Sequence, residues 1–200
     1  MGELPAGAAV LVRPDRVWSR AEVLGRPSPV PAVAGTYAWY FMQLPADIDT
    51  TRCISWAGLT LLYVGISPKA PPASGVGASR QNLRRRLRQH YALNAYGSTL
   101  RLTLGCLLAE QLGLVLRRVG SGTRLTFADG EAQLSQWMAD NAFVCWVAHE
   151  RPWELEDALV KTLDLPLNLQ GNDRHPFRAY LRGARAAARD HARALPVWPS

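Results

Sequence analysis

The sequence contains three short segments in this order: Gly35-Thr36-Tyr37, Tyr63-Val64-Gly65, and Asn82-Leu83-Arg84-Arg85-Arg86-Leu87-Arg88-Gln89-His90. Each tyrosine lies in an alternating apolar run, which is typical of a β-strand. The third segment has the apolar spacing of a helix, with Leu83 and Leu87 on its buried side. Two neighbouring strands can direct both phenols at one place, and the helix that follows can supply positive charge there. The order of these segments therefore predicts a polar, cationic site beside a small sheet.

The length and composition favour one soluble domain. The chain has 200 residues, of which 48% are apolar, enough for a proper core but not for two full domains. We predict an N-terminal arm over residues 1–34 and a main domain over 35–200. The sequence has no apolar run of about eighteen residues and no secretory signal pattern, so we expect a cytoplasmic protein without a membrane partner. Three widely spaced cysteines, Cys53, Cys106 and Cys145, predict free thiols rather than disulfides or a zinc site.

The positive charge favours an anionic partner. The net charge is +7 and the isoelectric point is about 9.8. Neutralising phosphates releases counterions, so nucleic acid is a better candidate than a membrane surface. A biased codon usage gives the same excess of arginine over lysine without any function, and charge alone does not separate these two explanations.

The arginines are concentrated in two stripes. The first stripe lies on the helix after the two strands and offers Arg84, Arg85 and Arg88 for phosphate contacts. The second stripe recurs at steps of three and four residues on a C-terminal helix: Arg178, Arg182, Arg185, Arg189 and Arg193. An apolar stripe beside it allows this helix to pack while its arginines face a nucleic-acid backbone. A solvated surface helix is the alternative reading of the same pattern.

The remaining pattern predicts an α/β (α+β) domain with a small, mainly antiparallel sheet flanked by helices. The expected strands cover 35–44, 59–65 and 143–148, and the expected helices cover 16–24, 79–92, 98–111, 131–141, 153–163 and 177–193. A hairpin is expected around Gly120-Ser121-Gly122. The helix and hairpin between about 92 and 141 form an insertion. A Pro/Gly/Ser-rich loop over 67–77 precedes the arginine-rich helix, which Ser79 is expected to cap.

These segments resemble the GIY-YIG nuclease superfamily. Gly35-Thr36-Tyr37 stands for the first motif, with Thr36 in place of the usual isoleucine, and Tyr63-Val64-Gly65 stands for the second. By the resemblance, Arg86 matches the catalytic arginine and His90 matches a histidine four residues later. Restriction and homing enzymes of the superfamily carry that histidine, whereas the excision-repair branch carries a tyrosine. The chain therefore resembles the restriction and homing type more closely.

Two later residues extend the resemblance. Glu156 lies in Glu156-Asp157-Ala158-Leu159-Val160 and matches the metal-binding glutamate, and Asn168 follows Pro166-Leu167 at the place of the terminal asparagine. A single glutamate suffices for Mg²⁺ or Mn²⁺, because such ions keep several waters and take phosphate oxygens from the substrate. Glu154 is the alternative ligand if the helix register differs. For an isolated Asn168, a turn residue is the simpler explanation.

The resemblance implies a metal-dependent endonuclease that hydrolyses phosphodiester bonds and leaves 5′-phosphate and 3′-hydroxyl ends. DNA is the expected substrate and partner, and RNA is a possible one. A homodimer is a further possibility, since cutting both strands requires two active sites or two binding events. A non-cleaving nucleic-acid-binding module with the same fold is the second hypothesis. The longer spacings between the motifs leave the specificity of the protein open.

The residue types leave the general base undecided. Arg86 is suited to stabilising charge on a phosphate oxygen. Tyr37, Tyr63 and His90 are all candidates to orient or deprotonate the attacking water. A phenol needs nearby cations to lower its pKa, whereas a histidine needs little tuning. His175, in His175-Pro176-Phe177, either contacts phosphate or caps the last helix.

Overall fold

A computed structural model describes residues 5, 7–71, 79 and 81–199. The chain is an α+β protein built on an antiparallel sheet. Its strands are β1 Gly35–Phe41, β2 Ser55–Trp56, β3 Leu59–Ser67, β4 Arg117–Val119, β5 Arg124–Thr126 and β6 Ala142–Ala148. Its helices are α1 Ala8–Val12, α2 Arg20–Leu24, α3 Leu83–Ala92, α4 Thr99–Leu107, α5 Ala109–Leu112, α6 Glu131–Asn141, α7 Pro152–Thr162 and α8 Phe177–Ala194. Over the described residues, every helix is too short or too polar to cross a membrane.

The main sheet is a curled sheet of four antiparallel strands in the order β2-β3-β1-β6. β1 lies at its centre and pairs with β3 on one side and β6 on the other. A register shift between Trp39 and Tyr40 marks a bulge in the β1–β3 pair. The predicted sheet and flanking helices are therefore confirmed, and the hairpin of β4 and β5 forms a separate two-stranded sheet.

The predicted elements are present, and the largest changes of boundary are in three of the helices. Helix α3 begins at Leu83 rather than near Ser79, because the Asn82 side chain accepts a hydrogen bond from Arg85 N at 3.0 Å and caps the helix. The predicted helix over 98–111 ends at Leu107, and α5 follows as a separate short helix. The predicted helix over 16–24 begins only at Arg20, after the capping box of Ser19. Most of the predicted loop over 67–77 lies outside the described residues.

The sheet separates two groups of core residues. Tyr37, Trp39 and Phe41 alternate with Ala38 and Tyr40 along β1, so every residue of this central strand is buried. The first face packs against α2, α3, α4 and α6, and the second against α1 and α7. The alternation explains why neighbouring residues of β1 have different roles, since only the first face leads to the arginine-rich helix.

The N-terminal segment packs on the sheet. Ala8 and Leu11 are fully buried in the second core group, and the Tyr40 hydroxyl donates to Leu11 O at 2.7 Å. Trp18 and Val144 exchange two backbone hydrogen bonds beside β6, at 2.8 and 3.0 Å. Residues 8–34 therefore complete the core around β1 and β6.

Gly35 is needed where the chain enters β1. A Cβ atom at this position would lie 2.3 Å from Val147 O and 2.7 Å from a Leu83 methyl carbon. The absence of a side chain lets β6 and α3 approach the start of β1 closely. The glycine of the first motif thus has a packing role next to the site.

A buried ion pair anchors the insertion between α3 and β6. The Arg101 side chain is fully buried and donates to Glu131 Oε2 at 2.6 Å, from α4 to α6. It also donates to His90 O at 3.3 Å and to Ser135 Oγ at 3.1 Å. Glu131 in turn accepts from the backbone of Ala95 at 2.8 Å. The insertion is therefore held to the end of α3 by buried and partly buried polar contacts.

We expect Glu131→Ala to destabilise the protein by about 3 to 5 kcal/mol, because it leaves the Arg101 charge buried without its carboxylate. Asp190→Ala breaks an ion pair with Arg193 in which both side chains are about 70% exposed, and it should cost less than about 1 kcal/mol. Urea unfolding of both variants measures the difference. Equal losses would mean that the buried pair contributes no more than a surface pair.

Candidate active site

Five of the six catalytic candidates from the sequence line one cleft of about 910 Å³: Tyr37, Tyr63, Arg86, Glu156 and Asn168. The cleft is lined by residues of β1, β3, α3, α4, α7 and α8. Its polar lining comprises Tyr37, Tyr63, Lys69, Arg86, Thr99, Glu156, Asp157, Asn168, Gln170, Arg178, Arg182, Arg185 and Arg189. The folded chain thus brings together residues that are up to 152 positions apart, from Tyr37 to Arg189.

The Tyr37 hydroxyl is the centre of the polar contacts. His90 Nε2 lies 2.8 Å from this oxygen, and Arg86 Nε donates to it at 3.3 Å. Arg86 and His90 are one turn apart on α3, so both reach the same atom, as their spacing predicts. Arg86 Nη1 donates to Gly97 O and Gln89 Oε1 at 3.0 Å each. Among the described residues, Arg86 Nη2 has no hydrogen-bond partner, and it is free to meet a substrate oxygen.

His90 lies behind Tyr37. Its side chain is fully buried, and it is absent from the described residues that line the cleft. Its Nδ1 lies 2.7 Å from Ser98 Oγ at the start of α4. The Trp39 and Tyr37 rings also make T-shaped contacts with the imidazole. His90 therefore reaches the cleft only through Tyr37.

Burial keeps these groups in their neutral forms. It raises the pKa of Tyr37 to about 12, and the neighbouring Arg86 guanidinium opposes the shift. Burial also raises the pKa of Tyr63. The pKa of His90 is held well below its ordinary value by burial, and the positive charges of Arg86 and Arg101 add to this effect. Near pH 7, the free site therefore holds two phenols and an uncharged imidazole.

Gly65 makes room for the Tyr37 ring. The two residues are cross-strand partners in the pair of β1 and β3. A Cβ atom at position 65 would lie 2.6 Å from Tyr37 Oη and 2.8 Å from Cζ. The glycine of the second motif thus accommodates the tyrosine of the first, which explains physically why the two segments occur together.

Asn168 holds the strand that carries Tyr63. Its Oδ1 accepts from Val64 N at 2.9 Å, and its Nδ2 donates to Val64 O at 2.9 Å. Leu167 N donates to Leu62 O at 3.1 Å, so this segment continues the pairing of β3 beyond the short β2. The Asn168 amide therefore bonds the β3 backbone between Tyr63 and Gly65.

Glu156 presents a carboxylate to the cleft from α7. Burial raises its pKa to about 7, while Lys69 and Arg86 act in the opposite direction. Among the described residues, no hydrogen bond or ion pair engages this carboxylate. Glu154, the alternative ligand, is paired with Arg151 and does not belong to the described lining of the cleft. The helix register therefore favours Glu156 over Glu154 as the residue that faces a substrate.

Helix α8 forms the basic wall of the cleft. Arg178, Arg182 and Arg185 line it as the spacing predicts, whereas His175 lies in an adjoining groove with Arg178 and Arg182. The His175 imidazole Nδ1 accepts from Phe177 N at 3.1 Å, and its Nε2 lies 2.9 Å from Asp164. The structure thus gives His175 the capping contact, one of the two roles expected from the sequence.

The other arginines of α3 do not share the cleft with Arg86. Arg84 donates to Val30 O at 2.6 Å, toward the N-terminal segment. Arg84, Arg85 and Arg88 are exposed and absent from the described lining of the cleft. The cleft and the first arginine stripe therefore lie on different sides of this helix.

Several residues at or near the site were given no role from the sequence, among them Lys69 and Ser98. Lys69 follows β3 at the edge of the Pro/Gly/Ser-rich loop, and nothing in its neighbours indicates a site. Arg189 belongs to the predicted stripe of α8, so its spacing with Arg185 was an available signal. Ser98 carries only the pattern of a helix cap, because its Oγ accepts from Arg101 N at 3.1 Å.

The family comparison agrees with this geometry. The GIY-YIG catalytic domain family matches residues 35–187, which include β1, β3, α3, α7 and the arginines of α8 up to Arg185. The chain therefore belongs to the GIY-YIG catalytic domain family, and nuclease activity follows from that membership. Neither the curated proteins nor the solved structures contain a significant match to the chain.

We expect Gly65→Ala to lower the nuclease rate by about 100-fold, because a displacement of about 1 Å at a reacting group costs that much. The added methyl group must push the Tyr37 hydroxyl away from Arg86 and His90. Gly183→Ala in α8 is the matched control, since nothing lies within 4 Å of its Cβ position. Initial rates and far-UV circular dichroism check the prediction. A Gly65→Ala enzyme of normal rate would show that the position of Tyr37 is unimportant.

Proposed function

We propose that the protein is a metal-dependent endonuclease that hydrolyses DNA and leaves 5′-phosphate and 3′-hydroxyl ends. The observation that carries this proposal is the shared cleft of Arg86, Tyr37 and Glu156, which combines a phosphate-binding cation, a phenol and an unpaired carboxylate. Phosphodiester hydrolysis requires charge stabilisation at phosphate, an oriented water and a ligand for a divalent ion. Arg86, Tyr37 and Glu156 meet these three requirements in that order.

Arg86 is assigned to the scissile phosphate. Its Nε and Nη1 are held by Tyr37, Gln89 and Gly97, so the guanidinium is fixed before substrate binds. The free Nη2 donates to a phosphate oxygen and stabilises the negative charge that grows there during the displacement. A fixed donor loses little orientational freedom when the substrate binds, which favours the transition state.

The donor set fits a single Mg²⁺ or Mn²⁺ ion held by Glu156. The described residues contain no cluster of three or more His, Cys, Asp or Glu side chains able to hold a metal ion. Magnesium accepts one protein carboxylate when waters and phosphate oxygens complete its coordination. The neighbouring Asp157 is paired with Lys161 at 2.6 Å, which leaves Glu156 as the ligand. When bound, the ion supplies Lewis-acid stabilisation of the phosphate and lowers the pKa of a water.

Tyr37 and Tyr63 are assigned to the attacking water. Both line the cleft, whereas His90 does not. With the pKa of Tyr37 near 12, its hydroxyl orients the water by hydrogen bonding rather than as a resident phenolate. His90 supports Tyr37 from behind and links the chain to the histidine-bearing restriction and homing type, which we propose as its subtype.

The α8 wall is assigned to the DNA backbone. Arg178 and Arg189, the first and last arginines of this wall, are 11 positions apart, or about 17 Å at 1.5 Å per residue. Phosphate contacts along this length position a strand without reading its sequence. The same contacts can bind an RNA backbone, so RNA is the alternative substrate class.

We expect Mg²⁺ or Mn²⁺ to support nicking or linearisation of supercoiled plasmid by the wild type. Arg86→Ala should lose about 100-fold to 1,000-fold in rate, as expected for one transition-state donor. Glu156→Gln should abolish the metal-dependent rate. The readout is gel-resolved cleavage over time, with end-labelled products to identify the 5′-phosphate.

Glu154→Gln is the matched control for Glu156→Gln, because it removes one carboxylate from the same helix outside the described lining of the cleft. It should cleave like the wild type. DNA binding without cleavage under either metal would favour the non-cleaving module. Cleavage of RNA alone would overturn the assignment to DNA.

We expect Arg182→Gln to weaken DNA binding and to reduce the slope of log affinity against log salt by about 1, the loss of one phosphate contact. Arg88→Gln removes the same charge from α3, outside the described lining of the cleft, and should change neither quantity. Fluorescence anisotropy in EDTA measures binding without cleavage. Equal losses in both variants would place the DNA across α3 as well as α8.

A further inference from the structure

Ser98 forms the polar contact behind the catalytic tyrosine. Its Oγ lies 2.7 Å from His90 Nδ1, and His90 Nε2 lies 2.8 Å from Tyr37 Oη. Ser98 and His90 are both fully buried. The three side chains therefore form a line from the insertion to the cleft. The direction of the hydrogen bonds along this line depends on which imidazole nitrogen carries the proton.

The hydrogen bonds of the Ser98 hydroxyl favour one of the two neutral tautomers of His90. The oxygen already accepts from Arg101 N as the cap of α4, at 3.1 Å. If His90 Nδ1 were protonated, it would donate to the same oxygen, and the buried Ser98 proton would have no acceptor among the described residues. If Nε2 is protonated, Ser98 donates to Nδ1 and both groups are satisfied. A buried hydroxyl rarely leaves its donor unused.

The choice of tautomer decides what Tyr37 does. With Nε2 protonated, Tyr37 Oη accepts from His90 and from Arg86, and its own proton is directed into the cleft that the residue lines. With Nδ1 protonated, Tyr37 donates to His90 instead and offers no proton to the cleft. Only the first arrangement leaves a phenol donor for a water or a phosphate oxygen.

We propose that Ser98 is a positioning residue that holds His90 in its Nε2-protonated tautomer and thereby directs the Tyr37 hydroxyl proton to the substrate. A relay that ends on His90 would instead create an imidazolium ion in a fully buried place beside Arg86 and Arg101. The same burial and positive charges hold the pKa of His90 well below its ordinary value. His90 thus acts as a hydrogen-bond donor to Tyr37.

This arrangement gives the insertion a role in positioning Tyr37. Ser98 lies at the start of α4, which the Arg101–Glu131 pair fastens to α6. Arg101 also donates to His90 O, so the same residue fixes both ends of the Ser98–His90 contact. The segment between α3 and β6 therefore supports the catalytic phenol from behind.

The tautomer is measured directly by long-range ¹H–¹⁵N correlation of the full-length protein with ¹⁵N-labelled histidine. His90→Gln identifies the His90 signals among the four histidines of the chain. The wild type should show a protonated Nε2 and an unprotonated Nδ1. A protonated Nδ1, or a cationic ring at pH 7, would overturn the proposal. This measurement does not require the protein to cleave DNA, so it stands apart from the proposed function.

The kinetic test rests on the proposed nuclease function. Ser98→Ala should lower kcat by about 10-fold to 100-fold with little change in KM, the usual scale for losing a supporting hydrogen bond. Ser98→Thr keeps both the hydroxyl and the cap and should restore the rate. Ser19→Ala removes a comparable cap from α2, away from the cleft, and should leave kcat unchanged. A Ser98→Ala enzyme with wild-type kcat, or an equal loss in Ser19→Ala, would contradict the positioning role.

Discussion

The pairing register of β1 and β3 is the constraint on which the site depends. It places Tyr37 opposite Gly65, so the ring of one strand occupies the space that a side chain of the other would fill. A shift by one residue would turn Tyr37 to the second face of the sheet, away from α3. Asn168 holds β3 as well, because its amide pairs with both backbone groups of Val64. The position of Tyr37 in the cleft is therefore set by backbone pairing.

Local spacing was sufficient to predict the sheet, the arginine-rich helix and the two tyrosines. Those signals depend on periods of two and about four residues, which are properties of single elements. The cap of α3 was assigned to Ser79 instead of Asn82, because both residues have the composition of a cap and only the backbone separates them. The short helix α1 was not predicted, since its five residues are too few to show a period.

The site was less predictable where it depends on contacts between elements. Arg84, Arg85, Arg86 and Arg88 have the same chemistry and lie on one helix, yet only Arg86 lines the cleft among them. The rotation of α3 about its own axis determines which of these arginines faces the cleft. The packing of Leu83 and Leu87 in the core sets that rotation. The contact of Ser98 with His90 joins an inserted helix to α3, so no spacing within either helix reveals it.

The site is assembled from both ends of the polypeptide. Tyr37 and Arg86 belong to the first half of the chain, whereas Glu156, Asn168 and the α8 wall come from its last quarter. A nascent chain that has emerged only as far as β6 contains the tyrosines and the arginine but lacks the carboxylate and the second edge of β3. Such a chain lacks one side of the cleft. The order of synthesis thus delays assembly of the complete cleft until nearly all of the described domain has left the ribosome.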